Sequence, residues 1–217
     1  MQDGASNQLK PATEVDPHHF WRRLNLRIKH RPNDLDLHTK RILFSLDNHL
    51  EEYSMGALSD LYVNLLGGGW HLRLRMYKLV APVMPFTDRL YFQRWLAENS
   101  DANLKCRQFS GAVFASIHCQ GQVQKRKVSH QFENKLEQSR FWIEQGELTK
   151  GQLLLEGICL DSESYRDIFS EANSELQQFY FYSKNKDALD YFLARMQNKG
   201  LEINQSWQKL QQESSSW

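Results

Sequence analysis

The stretch YRDIFSEANSELQQFY, residues 165–180, decides how the rest of the chain is read. Its apolar residues Tyr165, Ile168, Phe169, Ala172, Leu176, Phe179 and Tyr180 recur at helical spacing and share one face. Arg166, Asp167, Glu171, Asn173, Glu175 and Gln177 make the opposite, wet face. Ser183-Lys184-Asn185 interrupts the pattern, with Asn185 placed to cap a following helix. That helix carries Ala188, Leu189, Phe192, Leu193 and Met196 on one side and runs to Gly200, a left-handed stop. Upstream, two shorter amphipathic segments, 136–145 and 149–158, flank Gly146-Glu147. Helices this short persist only when packed on neighbours.

The segments echo one another. Gly151 and Leu155 stand 37 residues before Ala188 and Phe192, each a small residue followed four positions later by a large one. Together with Ser139, Trp142, Gly146, Ile158 and Phe179, these positions make residues 136–207 resemble the tetratricopeptide repeat, a helical hairpin with a period of about 34. The repeat's tryptophan near the unit start and its closing proline are replaced by Lys135 and Glu163. The ending, Asn185 to Leu210, is also similar to the helical C-terminal region of FimV-type bacterial polar scaffold proteins. The resemblance implies stacked hairpins, a protein-binding surface and a bacterial polar or pilus setting.

The whole chain bounds this reading. Its 217 residues suit one extended helical domain or two small ones, and 41% hydrophobic content supports a core. Charge is divided: residues 1–130 hold 18 Lys+Arg and 12 Asp+Glu (net +6), and residues 131–217 hold 9 and 14 (net −5). No apolar run approaches the ~20 residues of a membrane span. The polar N-terminus lacks a signal-peptide core, and Cys106, Cys119 and Cys159 cannot all pair within one chain, so a reducing cytoplasm is expected.

In the N-terminal half, Asp16-Pro17 is a helix start. The helix after it sets Phe20, Leu24 and Ile28 against a basic side with Arg22, Arg23 and Arg27, and ends at Pro32. Asn33 or Asp34 caps a second helix with Leu35, Ile42, Leu46 and Leu50 inward. A third follows with Met55, Leu58, Leu61, Tyr62 and Leu65, broken by Gly67-Gly68-Gly69. The pattern predicts a fourth helix over 70–80, with Leu72, Met76, Leu79 and Val80 inside and Arg73, Arg75 and Lys78 outside. Thr87 is the expected cap of a fifth, with Phe86 and Tyr91 as a hydrophobic staple and Leu90, Trp95 and Leu96 inward. Residues 99–130 differ: Val113, Ala115, Ile117, Cys119 and Val123 alternate with polar residues, which argues for extended chain over about 111–128, a connector or an edge able to pair. Lys125-Arg126-Lys127 follows.

Motifs for chemistry are sparse. Gly67–Gly69 lacks the spacing and lysine of a phosphate loop, although His71, Arg73 and Arg75 lie in the helix after it. Asp34, Asp36 and His38 cluster where aspartates are expected from the helix dipole alone. Cys106, His118, Cys119 and His130 are zinc-type ligands without zinc-type spacing. The expectation is therefore a mainly α protein with no catalytic, cofactor or metal residues. Its segments are a flexible terminus (1–16), an N-terminal helical subdomain (17–98), an extended linker or hairpin (99–130), a tetratricopeptide-like subdomain (131–213) and a tail (214–217). Its expected role is a non-enzymatic protein–protein interaction adaptor or scaffold that holds a peptide or a partner helix on its helical repeat surface. The rival is a nucleic-acid-associated protein. The candidate interaction surface is Arg22, Arg23, Arg27, Arg73, Arg75, Lys125, Arg126 and Lys127.

Overall fold

The computed structural model describes residues 16–98, 107–114 and 131–217. The Lys125-Arg126-Lys127 run, the Cys106, His118, Cys119 and His130 set and the alternation beyond Phe114 lie outside the described residues. Ten α-helices and no strand are present among the described residues, so the fold is mainly α. They are α1 (Pro17–His30), α2 (Leu35–Asp47), α3 (Glu51–Leu65), α4 (Trp70–Val80), α5 (Phe86–Glu98), α6 (Lys135–Glu144), α7 (Leu148–Leu160), α8 (Arg166–Ser183), α9 (Lys186–Asn198) and α10 (Gln205–Ser214), with a 3-10 turn at Ala81–Val83.

Local chemistry sets most boundaries. The Asp16 carboxylate accepts from the amides of His18 and His19 ahead of Pro17, and Asp34 accepts from Leu37 N. Asn185 accepts from Ala188 N. Each satisfies a donor that the first turn leaves open. The chain leaves α9 through Gly200 at φ +71°. At α5 the expectation fails. The Pro85 carbonyl accepts from Asp88 N and Arg89 N, so the helix starts one residue before Thr87. Phe86 is 67% exposed and therefore forms no staple with Tyr91.

The predicted inner faces are corrected at four positions. Leu35, Leu79 and Leu90 are exposed, whereas Arg73 is fully buried. Arg73 turns inward because α3 and its glycine turn supply what its guanidinium needs: it donates to the Gly67 carbonyl and lies over the Tyr62 ring at 5.5 Å. The Tyr62 hydroxyl in turn donates to the Arg73 carbonyl.

A single hydrophobic cluster runs from Trp21 in α1 to Leu210 in α10. Helix α1 packs on α2, α6 and α8, so it is shared between the two halves of the chain. The segment 107–114 is irregular backbone, and its Phe109, Ala112 and Val113 are buried. It passes between α3 and the α6–α7 turn. A Cβ on Gly56 would stand 2.2 Å from the Ser110 carbonyl oxygen, and one on Gly146 would stand 2.2 Å from that of Ala112. Gly146 also has φ +84°, which the turn between α6 and α7 requires. Helices α6 and α7 approach closely where Ser139 Oγ donates to the Gly151 carbonyl at 2.9 Å. A Cβ on Gly151 would meet the Ile143 side chain at 2.4 Å.

Arg41 and Asp60, both fully buried, pair at 2.8 Å beside this segment. Arg41 also donates to Asn25 Oδ1 and the Gly111 carbonyl, while Asp60 accepts from the amides of Val113 and Phe114. Asn25 Nδ2 donates onward to the Ile143 carbonyl. Four helices and the threaded segment are thus joined by one polar network.

Candidate interaction surface

Helices α4 and α5 pack on one another, and each leaves one face outward. On α4 the outward residues are His71, Arg75, Lys78 and Leu79. Their spacing is that of a single helical face. On α5 they are Phe86, Arg89, Leu90, Gln93 and Arg94, and exposed Pro82, Val83 and Pro85 form the corner between the helices. Leu79, Val83, Phe86 and Leu90 are large apolar side chains in water. Such residues in succession mark a surface that is covered in use, whereas isolated ones carry no such meaning.

The charge on this surface is basic up to the last turn of α5, where Glu98 is exposed. Arg75, Lys78, Arg89 and Arg94 are exposed and form no salt bridge with any described residue. Between Asp60 and Glu98 the chain holds a single acidic residue, Asp88. It is withdrawn from the surface: its carboxylate is buried and pairs with Arg107. Sequence reading missed Arg89 and Arg94 because it treated α5 by its apolar residues. The long gap between acidic residues was the available signal.

The candidate residues named from sequence that lie among the described residues are not gathered in one place. Arg22 is nearly buried and pairs with Glu144 at 2.6 Å. Glu144 is a hub, accepting also from the Tyr53 hydroxyl, with His18 Nδ1 at 3.3 Å, while the Trp21 indole donates to its carbonyl. Burial and the Glu144 carboxylate push the Tyr53 phenol above its ordinary range. Arg23 lies over the Tyr182 ring at 4.4 Å, between α1 and α8. Arg27 is exposed on α1. Arg73 is removed from the set by its burial. Arg75 alone of the eight lies on the outer face of α4.

The acidic and imidazole cluster resolves into structural roles. Asp34 caps α2, and buried His38 places Nε2 at 2.8 Å from the Pro32 carbonyl. Burial, then the charge of Arg41, hold the His38 imidazole below its ordinary value. Cys159 is buried on α7, and burial and Glu156 push its thiol up to about 12, far from the reactive thiolate range. No group of three or more His, Cys, Asp or Glu side chains converges as metal ligands among the described residues. No described helix is long and apolar enough to cross a membrane.

The arrangement defines a mainly α-helical protein whose α4 and α5 expose basic and apolar side chains. Comparison with protein families, with curated proteins and with solved structures finds no match to this chain.

Proposed function

We propose that the chain is a non-enzymatic protein–protein interaction adaptor whose α4–α5 surface receives an acidic amphipathic segment of a partner. The observation that carries this reading is the succession Leu79, Val83, Phe86 and Leu90, interleaved with Arg75, Lys78, Arg89 and Arg94, which form no salt bridge with any described residue. Apolar anchors supply area, and a predominantly basic border favours a partner rich in Asp and Glu. The tetratricopeptide-like character of residues 131–213 and the bacterial polar or pilus setting belong to the same proposal. They describe a scaffold on which the surface is carried. The docking face is placed on α4–α5 because the exposed large apolar residues of the C-terminal helices, Leu153, Phe181 and Tyr191, are distributed singly over α7, α8 and α9.

A photo-crosslinking residue at position 86 tests this in the native host, with one at position 191 as the control. The expected result is an adduct at 86 mapping to an acidic segment, lost when Arg75, Lys78, Arg89 and Arg94 are changed to Glu. Adducts only at 191 would overturn it. The nucleic-acid reading predicts instead an oligonucleotide complex that weakens steeply with salt. It must do without Arg22 and Arg73, which are held inside the fold.

A further inference from the structure

A cavity of about 400 Å³ opens among the C-terminal end of α1, the α8–α9 turn and α7. Lys29 and His30 line it from α1, Gln152 from α7, and Lys184, Lys186 and Asp187 from the turn. Its volume lies within the range of small-molecule sites. Three lysines and a histidine thus face one carboxylate.

Burial lowers the Lys184 ammonium and the Glu213 carboxylate partly restores it. Lys29, Lys184 and Lys186 form no salt bridge with any described residue, although Arg22, Arg41, Arg140 and Arg195 all do. Lys184 is held by its backbone and side chain together. It ends α8 at φ +52°, its amide donates to the Tyr180 carbonyl, and its ammonium lies 4.1 Å from the Phe181 ring centroid and 4.5 Å from that of Trp217. The cations also affect one another. Burial, then the charges of Arg31 and Lys184, lower the His30 imidazole, and burial lowers the Lys29 ammonium. Basic residues in the last turn of α1 are expected from its dipole. That argument covers Lys29 and His30. It also covers Lys184, the C-cap of α8, but not Lys186, which opens α9 at that helix's positive end.

We infer that this cavity binds the phosphate or oligophosphate group of a small molecule, held by Lys29, Lys184 and Lys186. A multiply charged oxyanion removes the repulsion among these cations and accepts hydrogen bonds from several at once. Phe179, which also lines the cavity, offers an apolar wall for the organic part of a phosphate ester.

The test uses the full chain, labelled with nitrogen-15 and titrated at physiological ionic strength with inorganic phosphate, pyrophosphate and phenyl phosphate in turn. At least one should shift the amide resonances of residues 184–187 saturably, with Kd below about 1 mM. Tighter binding of phenyl phosphate than of inorganic phosphate identifies an ester as the ligand, and the reverse identifies the free anion. Lys29→Gln combined with Lys186→Gln, both exposed side chains, should weaken binding at least about tenfold with an unchanged circular dichroism spectrum. No saturable shift with any of the three would overturn the inference. So would equal binding by the double variant, or equal shifts with chloride at matched ionic strength.

Discussion

Two buried carboxylates, Asp60 on α3 and Glu156 on α7, make the same kind of ion pair in different surroundings. Asp60 and Arg41 both have 0% exposed side chains. Glu156 is 6% exposed and its partner Arg195 is 40% exposed, at the same 2.8 Å. Glu156 also accepts from the Tyr180 hydroxyl and from Gln152, each at 2.8 Å, tying together α7, α8 and α9. The Asp60 pair instead holds backbone: its oxygens are the acceptors for Val113 N and Phe114 N, and Arg41 holds the Gly111 carbonyl. A pair fully out of water contributes little net attraction, yet removing one partner leaves a bare charge in the core. The N-terminal network therefore specifies where a loop lies. The C-terminal one adds a modest tie between helices that already pack through apolar faces.

Asp60→Ala should cause the largest loss, about 3–5 kcal/mol, because it strands Arg41 and two loop amides together. Urea unfolding followed by circular dichroism measures it, and Asp60→Asn, which keeps one acceptor, should lose less. A loss equal to that of Arg195→Ala would erase the distinction between the two regions.

Gly56→Ala ranks second, at about 2–3 kcal/mol. The added methyl meets the backbone of Ser110 and Ala112, which cannot rotate away as a side chain can. Gly157, with nothing within 4 Å of its would-be Cβ, is the control: Gly157→Ala should be neutral or stabilising.

Arg195→Ala should cost less, about 1–2 kcal/mol: Glu156 Oε2 loses its donor, but solvent reaches the guanidinium site and Tyr180 and Gln152 still donate to Oε1. Double-mutant cycles on Arg41–Asp60 and on Arg195–Glu156 would sharpen the contrast by measuring both couplings in the same chain.

The smallest effect is on pH dependence and belongs to the N-terminal region. His38 is held neutral in the fold, its imidazole below the ordinary value of 6.5. Below that value the unfolded chain binds more protons than the folded one. The contribution is therefore complete above about pH 6.5 and is lost as pH falls below it. The unfolding midpoint should drop between about pH 7 and pH 5, and His38→Phe should flatten that slope. An unchanged slope would show that His38 does not titrate on unfolding.

Features that depend on a few neighbouring residues could be read directly. Asp16, Asp34 and Asn185 are caps because each side chain reaches an amide two or three residues ahead. The 165–180 stripe reads as a helix for the same reason, and α8 buries Ala172, Leu176, Phe179 and Tyr180 along it. Where reading failed, the deciding partner was distant or opposed the residue type. Arg73 looks like a surface residue until the Gly67 carbonyl and the Tyr62 ring are set beneath it. Leu79 and Leu90 look like core until the packing of α4 and α5 leaves their faces uncovered. The same packing explains why, of the basic residues singled out, Arg75 faces outward on α4 while Arg22 is bound to Glu144.

The sequence by itself determined that this protein is mainly α-helical and where most helices begin, because periodicity and capping act over one or two turns. Only the tertiary structure decided that residues 107–114 thread between Gly56 and Gly146 under the Arg41–Asp60 pair, and that α1 serves both halves of the chain. It also decided that exposed basic residues without a salt bridge to any described residue lie beside exposed apolar ones on α4 and α5. Those outcomes depend on contacts between residues dozens of positions apart, where burial and charge pairing are settled by what each helix meets.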